Sequence, residues 1–246
     1  MVTWDGASAT ELAKTLDIAR LELRDEVEST QDIAHALAEQ GAPHGTLVLA
    51  DAQRAGRGRM GRTWSSEPGA GVWCTFVARP TDLRALDVLS IRLGLSIGEA
   101  LDALTAPRRI QLKWPNDLLL GDGKLGGILT EARWSGTTLS WVAIGMGINV
   151  RPPDVPLGAG LGDGVQRRDV LGAVVDAAAQ ATSAKGWLTA DERTRYRSRD
   201  ALLGRRITEP GRGVVAGIAE SGALRVETGQ GVTEYRAGTI KYAEDA

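Results

Sequence analysis

Leu86, Leu89, Leu93, Ile97, Leu101 and Leu104 recur every three or four residues, the period of one helix face, and predict the most strongly marked helix of the chain. Two shorter helices precede it. Ser8 with Glu11 forms a capping box for a helix over 8–18, and Ser29-Thr30 introduce a helix from Gln31 to Gln40, stopped by Gly41 and Pro43. Ile33, Ala34, Leu37 and Ala38 give that helix its apolar stripe. Strand-like runs occupy 20–27, 46–51, 71–78, 111–114, 117–120, 125–133 and 139–150. A Pro/Gly-rich loop spans 152–164, and two helices are predicted over 166–184 and 189–201.

Beyond residue 204 the pattern changes. Short alternating runs at 205–208, 214–219, 223–227, 232–236 and 239–242 are split by glycines and read as a small β-barrel. The expectation is an α+β chain, with a central mixed or antiparallel sheet and flanking helices over 1–201 and a small all-β domain over 202–246. Regular βαβ alternation is absent.

Composition narrows the class. The 43% hydrophobic and 24% charged content is ordinary for a globular chain. A net charge of −2 supplies no global field for nucleic acid. Positive charge is nearly all arginine; the lysines are Lys14, Lys113, Lys124, Lys185 and Lys241. Cys74 is the single cysteine, in an apolar run, so the chain holds no internal disulfide and suits a reducing compartment. His35 and His44 with one cysteine give little basis for zinc. No stretch is long and apolar enough for a membrane span, and the N-terminus lacks a signal pattern. The reading is a soluble cytoplasmic protein.

Five segments carry candidate chemistry. Gly56-Arg57-Gly58-Arg59-Met60-Gly61-Arg62-Thr63-Trp64 alternates backbone that approaches a ligand closely with guanidinium forks suited to carboxylate and phosphate. It matches G-x-G-x-x-G, yet Ser65, Ser66, Glu67 and Pro68 cannot open the helix that a dinucleotide fingerprint requires. Lys113-Trp114-Pro115-Asn116-Asp117 crowds a lysine, an amide and a carboxylate at a strand exit. Lys124-Leu125-Gly126-Gly127-Ile128-Leu129-Thr130-Glu131 leads an apolar strand whose paired glycines leave bare backbone for a flat ligand. In Ala143-Ile144-Gly145-Met146-Gly147-Ile148-Asn149 the alternate glycines bare one strand face. Ser29-Thr30-Gln31 caps a helix. Taken singly, turns, bulges and caps explain the last four.

In this order the segments resemble the biotin–protein ligases over about residues 25–150, and the tail suits that family's SH3-like C-terminal domain. The resemblance implies a class II synthetase-like biotin/lipoate ligase fold. It also implies a two-step reaction: biotin and ATP form biotinyl-5′-AMP and pyrophosphate, and a lysine of a biotin carboxyl carrier protein then displaces AMP. It assigns Arg57 and Arg59, with amides near Gly56 and Gly58, to the biotin carboxylate and phosphates, and Lys124 to bridging the carboxyl oxygen and α-phosphate. Ser29, Thr30, Gln31 and Gln53 fall to the ureido ring, with Gly127 and Gly145 as the floor of the slot. Arg62 and Lys113 join the nucleotide side. Trp64 covers the nucleotide or orders the loop over it. Asn116 and Asp117 act through Mg²⁺ or orient the incoming amine, with Asp117 the candidate metal ligand, and Asn149 contacts phosphates or metal.

Three departures from the family pattern stand out: Gln31 for a usual Asn, Met60 for a further Arg, and Gly158-Ala159-Gly160-Leu161 for a Thr-Ser-Leu segment. The segment ahead of Ser29 is too short for a winged-helix domain, so the expectation is a ligase without operator binding. Members can pair through sheet edges, which offers a homodimer without the sequence fixing the oligomeric state. The rivals are a lipoate-type ligase, whose Arg-Arg-x-Ser-Gly-Gly-Gly loop is absent here, and a biotin-binding module without transfer.

Overall fold

In a computed structural model that describes residues 2–243, apolar alternation builds one long sheet with a layer on each face. The N-terminus forms a small hairpin, β1 (Thr3–Trp4) and β2 (Ala7–Ser8), followed by α1 (Ala9–Thr15). Then come β3 (Arg20–Val27), α2 (Thr30–Glu39), β4 (Thr46–Gln53) and β5 (Gly71–Ala78). Helices α3 (Leu83–Asp87) and α4 (Leu89–Thr105) lead into β6 (Gln111–Lys113), β7 (Asp117–Leu120), β8 (Gly123–Ser135) and β9 (Thr138–Asn149). Helices α5 (Arg167–Ser183) and α6 (Ala190–Arg197) precede β10 (Arg206–Glu209), β11 (Gly213–Ile218), β12 (Leu224–Thr228), β13 (Gly231–Tyr235) and β14 (Lys241–Tyr242).

The main sheet has seven strands in the order β3-β4-β5-β9-β8-β7-β6. Only β3 and β4 run parallel, joined by the crossover helix α2; every other neighbouring pair is antiparallel. Alternation along each strand sorts residues between faces. Val72, Cys74 and Phe76 of β5 and Ile144, Met146 and Ile148 of β9 enter the large core with α4 and α5. Val77 and Ala143 face the other way, under Ala34 and Ala38 of α2. Helix α2 is short, so it covers only part of that second face, and the uncovered part becomes the site described below.

Several expected boundaries change. The first helix begins at Ala9, because its capping box places Ser8 outside the helix, and it ends at Thr15. The leucine-rich repeat is two helices that break at Val88, where ψ is 5°. The helix expected over 189–201 ends at Arg197. The tail is an open five-stranded antiparallel sheet, β13-β12-β11-β10-β14, rather than a barrel: among the described residues its two outer strands do not pair with each other. A bulge between Val215 and Gly217 and a register shift in β10 bend the sheet without closing it. The indole of Trp114 donates to the Gly222 carbonyl at 2.9 Å and ties this sheet to the larger unit.

Candidate active site

On the α2 face, Gly127 of β8 pairs directly with Gly147 of β9, and Leu129 pairs with Gly145. On the other side of β9, Thr75 pairs with Gly145 and Trp73 with Gly147. Absent side chains at these adjoining positions open a cavity of about 180 Å³. Its lining includes Ser29, Thr30, Gln31, Gln53, Arg57, Gly58, Arg59, Arg62, Trp64, Lys113, Asn116, Asp117, Lys124, Gly127 and Gly145, so the separate sequence segments meet in one place.

The polar end is built by the N-terminus of α2. Ser29 caps the helix by accepting from the Gln31 amide at 3.3 Å. The Thr30 amide and hydroxyl both donate to Gln53 Oε1, at 2.9 and 3.0 Å, and the Thr30 and Thr75 hydroxyls lie 2.9 Å apart. Gln53 Nε2 donates to Ser66 Oγ at 2.7 Å. Gln31 lies over Gly145: Nε2 donates to the Ala143 carbonyl at 3.2 Å, and Thr75 donates to Oε1 at 3.1 Å. A Cβ at residue 145 would come within 2.8 Å of that Oε1. The extra methylene of Gln31 therefore occupies space that only a glycine leaves.

The glycine-arginine loop folds back on itself. Trp64 N donates to Gly56 O at 2.8 Å, Gly58 N donates to Arg62 O at 2.7 Å, and Met60 turns the tip with φ of 57°. Gly56 lies behind the cavity wall, where a Cβ would sit 2.5 Å from the Trp64 carbonyl. The Trp64 ring lies on the glycine floor; a Cβ at residue 147 would meet its Nε1 at 2.6 Å, and one at residue 127 its Cζ3 at 3.4 Å. Trp64 Nε1 is buried without a partner among the described residues.

Lys124 Nζ pairs with Asp117 Oδ1 at 2.7 Å and stands 5.3 Å from the Trp64 ring centre. Arg59 Nη1 donates to Asn116 Oδ1 at 3.2 Å, while Asn116 Nδ2 donates to the Ile128 carbonyl at 2.8 Å and fixes the turn. Burial lowers the Arg59 guanidinium from its usual value, with Asp117 opposing that shift and Arg62 adding to it. Lys113 Nζ sits 5.1 Å above the Tyr242 ring. Neither Arg62 nor Lys113 forms an ion pair among the described residues, so positive charge is left over at the mouth.

Arg57 is held at the opposite end. Its Nη2 lies 3.0 Å from Asp32 and 3.1 Å from Glu131. Burial raises the Glu131 carboxyl, but a hydrogen bond from His35 and the charge of Arg57 outweigh it and hold the group below its usual value. Trp141 Nε1 donates to His35 Nδ1 at 3.0 Å, which leaves the ring proton on Nε2 to donate to Glu131 at 2.8 Å.

Asn149 does not line the cavity. It is 2% exposed, and its amide donates to the carbonyls of Lys124 at 3.2 Å and Ala159 at 3.0 Å. With the Lys124–Leu157 and Ala159–Lys124 backbone bonds, it straps the 152–164 loop to the start of β8. Sequence reasoning passed over Thr75, Glu131 and Leu129. All three share the glycine face: counting by two from Gly127 along β8 reaches Leu129 and Glu131, while Thr75 stands on another strand and is placed there only by its pairing with Gly145. Gly238, Thr239 and Ile240 also line the cavity, with no local sequence signal. Burial pushes the Cys74 thiol up to about 12.

No cluster of three or more His, Cys, Asp or Glu able to hold a metal occurs among the described residues. Asp117 alone offers a carboxylate at the strand exit, which fits an ion such as Mg²⁺ that takes one or two protein carboxylates and completes its shell with phosphates and water.

Comparison with known proteins adds four findings. A profile of the biotin/lipoate A/B protein ligase family matches residues 24–149. A biotin–[acetyl-CoA-carboxylase] ligase of Paracoccus denitrificans is 35% identical over 197 residues, covering 72% of this chain and 82% of its own. A biotin protein ligase from Aquifex aeolicus, solved with biotin and ATP, superposes with a TM-score of 0.74 at 27% identity, covering 92% of this chain and all of that one. A bifunctional ligase/repressor of Bacillus subtilis is 42% identical over 135 residues, covering 54% of this chain, and the chain spans 41% of that relative's length.

Proposed function

The chain belongs to the biotin/lipoate A/B protein ligase family, and from that membership we propose that it activates biotin with ATP and transfers it to a lysine of a biotin carboxyl carrier protein. One observation carries this reading: the glycine-floored cavity has hydrogen-bonding groups at one end and Arg59, Arg62, Lys113 and Lys124 at the other. A neutral ring needs the first set only. A carboxylate meeting a triphosphate needs the second.

In the first step a biotin carboxylate oxygen attacks the α-phosphorus, the new P–O bond forms, and the bond to pyrophosphate breaks. Two anions approach, so cations must neutralise them. Lys124, free to leave Asp117, follows the charge at the reacting phosphate, and losing such a stabiliser typically costs about 10²–10³ in rate. Arg59 and Arg62 take the phosphates, each charge-assisted hydrogen bond worth about 1.5–3 kcal/mol. Asp117 would hold a Mg²⁺ ion, which when bound would neutralise triphosphate charge. In the second step the acceptor amine attacks the acyl carbon, the C–O bond to AMP breaks, and the amine sheds a proton.

Ser29, Thr30 and Gln53, which satisfy one another here, exchange those bonds for the ureido ring. Trp64 leaves the Gly127–Gly147 floor to admit the bicyclic ring and then covers the acyl-adenylate. Arg57 moves from Asp32 and Glu131 toward the carboxylate. Residues 1–201 form the catalytic unit and 202–246 the small unit, consistent with β10–β14 pairing, among the described residues, only with one another. A buried, single Cys74 suits a cytoplasmic setting.

Incubation with ATP, Mg²⁺, a carrier domain and either biotin or lipoate tests the reading, with acceptor mass as readout. Biotin transfer supports it. Transfer of lipoate alone selects the sister chemistry, and tight biotin binding with no adenylate formed reduces the protein to a binding module.

A further inference from the structure

A second cavity, of about 280 Å³, lies between α6 and the tail sheet, on surfaces the ligase reading does not use. Arg193, Tyr196, Arg197, Asp200, Gly217 and Arg225 line it. Three polar atoms there are buried and without a partner among the described residues: Arg193 Nε, the Tyr196 hydroxyl and Asp200 Oδ2. Tyr196 is 2% exposed, so its hydroxyl finds no bulk water. Buried polar groups left unmatched are costly, and several around one opening mark a place where something else supplies the hydrogen bonds.

The charge is unbalanced. Neither Arg193 nor Arg197 makes an ion pair among the described residues, and Arg225 reaches Glu234 only at 3.8 Å. Asp200 is the cavity's one carboxylate, and its Oδ1 is already spent accepting from the Leu202 amide at 2.9 Å. The bulge at Gly217, with φ of 104°, sets bare backbone in the wall; a Cβ there would meet Arg197 Nη1 at 3.9 Å.

The inner groups are two donors and one acceptor: a guanidinium N–H, a phenol O–H and a carboxylate oxygen. An oxyanion without a proton satisfies the donors and repels the carboxylate. A neutral ligand leaves the guanidinium charge unmatched. We propose that this cavity binds a phosphate group that still carries a proton, either free phosphate or the end of a phosphomonoester. Its oxygens accept from Arg193 and Tyr196, with Arg197 and Arg225 at the rim, and its O–H donates to Asp200 Oδ2. Burial pushes the Asp200 carboxyl up to about 6, with Tyr196, Arg193 and Arg197 of α6 and Arg225 of β12 as the ionisable groups facing it. A carboxyl poised there accepts a proton readily. The same acceptor discriminates against sulfate, which has no proton at neutral pH.

Calorimetric titration of inorganic phosphate into the full chain tests the site. It is run in the Arg59→Ala background, so that the guanidinium-rich loop of the main cavity contributes less. One phosphate per chain is expected. Tyr196→Phe and the exposed-site change Arg197→Gln should each weaken binding about ten- to hundredfold. Sulfate should bind at least about tenfold more weakly than phosphate, and Asp200→Asn, which can donate, should erase that preference. With phosphate bound, O-phosphoserine as a second probe separates the sources: equal affinity assigns a phosphomonoester, rejection assigns the free ion. No binding, equal affinity for sulfate, or affinity unchanged in Arg197→Gln overturns the proposal.

Discussion

Replacing Lys124 with alanine removes the cation at the proposed site of phosphoryl transfer and strands the carboxylate it neutralises. Lys124 Nζ lies 2.7 Å from Asp117 Oδ1, with the lysine side chain 40% and the aspartate 24% exposed, so the pair is neither fully solvated nor fully buried. Two effects then act in one direction. The lost cation alone should cost about 10²–10³ in adenylation rate, or roughly 3–4 kcal/mol of barrier. The stranded carboxylate adds repulsion: unit charges 4 Å apart interact by about 4 kcal/mol at an effective dielectric near 20, and solvent at this half-open site reduces that. Lys124→Ala should therefore slow pyrophosphate release by about 10³ or slightly more, and weaken biotin affinity by calorimetry far less, because the lysine meets only the carboxyl end of biotin and its charge matters most as the phosphate reacts. Asp117→Asn costs the metal ligand on its own, but combined with Lys124→Ala it should cost less than the product of the two single losses, since the repulsion goes with the charge. Equal losses in affinity and rate, or a double variant as slow as the product of the two single ones, would refute the assigned role of Lys124.

Gly147→Ala should destabilise the ligand-free protein by about 1–3 kcal/mol, because a Cβ 2.6 Å from Trp64 Nε1 forces a rigid ring off its floor; unchanged denaturant midpoints would contradict that packing. Arg57→Ala should speed escape of free adenylate about tenfold in the absence of acceptor, measured by thin-layer chromatography, through loss of one charge-assisted contact. Asp200→Asn should raise stability at pH 7 by about 2–3 kcal/mol in phosphate-free buffer. Burial raises this carboxyl from 3.8 to about 6. Between those values the native state holds more protons than the unfolded chain, so stability falls as pH rises through the window and stays lowered above it. The gain from Asp200→Asn should vanish below about pH 4; an equal gain at pH 4 and pH 7 would assign it to something other than ionisation.

The parts of the fold with strong local periodicity were legible. Arg20–Val27 and Gly71–Ala78 match their strands to the residue: polar–apolar alternation marks the first, a continuous apolar run buried on both faces marks the second, and flanking turns fix the ends. The break at Val88 was not legible: leucine spacing stays in phase across it, and the spacing cannot report one non-helical residue. The open tail sheet was read as a barrel because alternation sets strand positions but not closure. At the site, the glycines and cations were visible as types in order. Their mates were not, because Arg57 meets Glu131 from 74 residues away, and Thr239 reaches Met60 Sδ from 179. Asn149 shows the same limit. Its type suits a phosphate ligand, yet its buried amide holds two carbonyls beside the lysine.

The most direct measurement is a crystal structure of the chain soaked with biotinyl-5′-AMP. The bicyclic ring should lie on Gly127 and Gly147 with Trp64 displaced, the ureido group against Thr30 and Gln53, and the phosphate within hydrogen-bond reach of Lys124 and Arg59. Density for the compound elsewhere, or in the cavity with Lys124 still paired to Asp117 and the arginines facing solvent, would contradict the assignment of this cavity as the adenylation site.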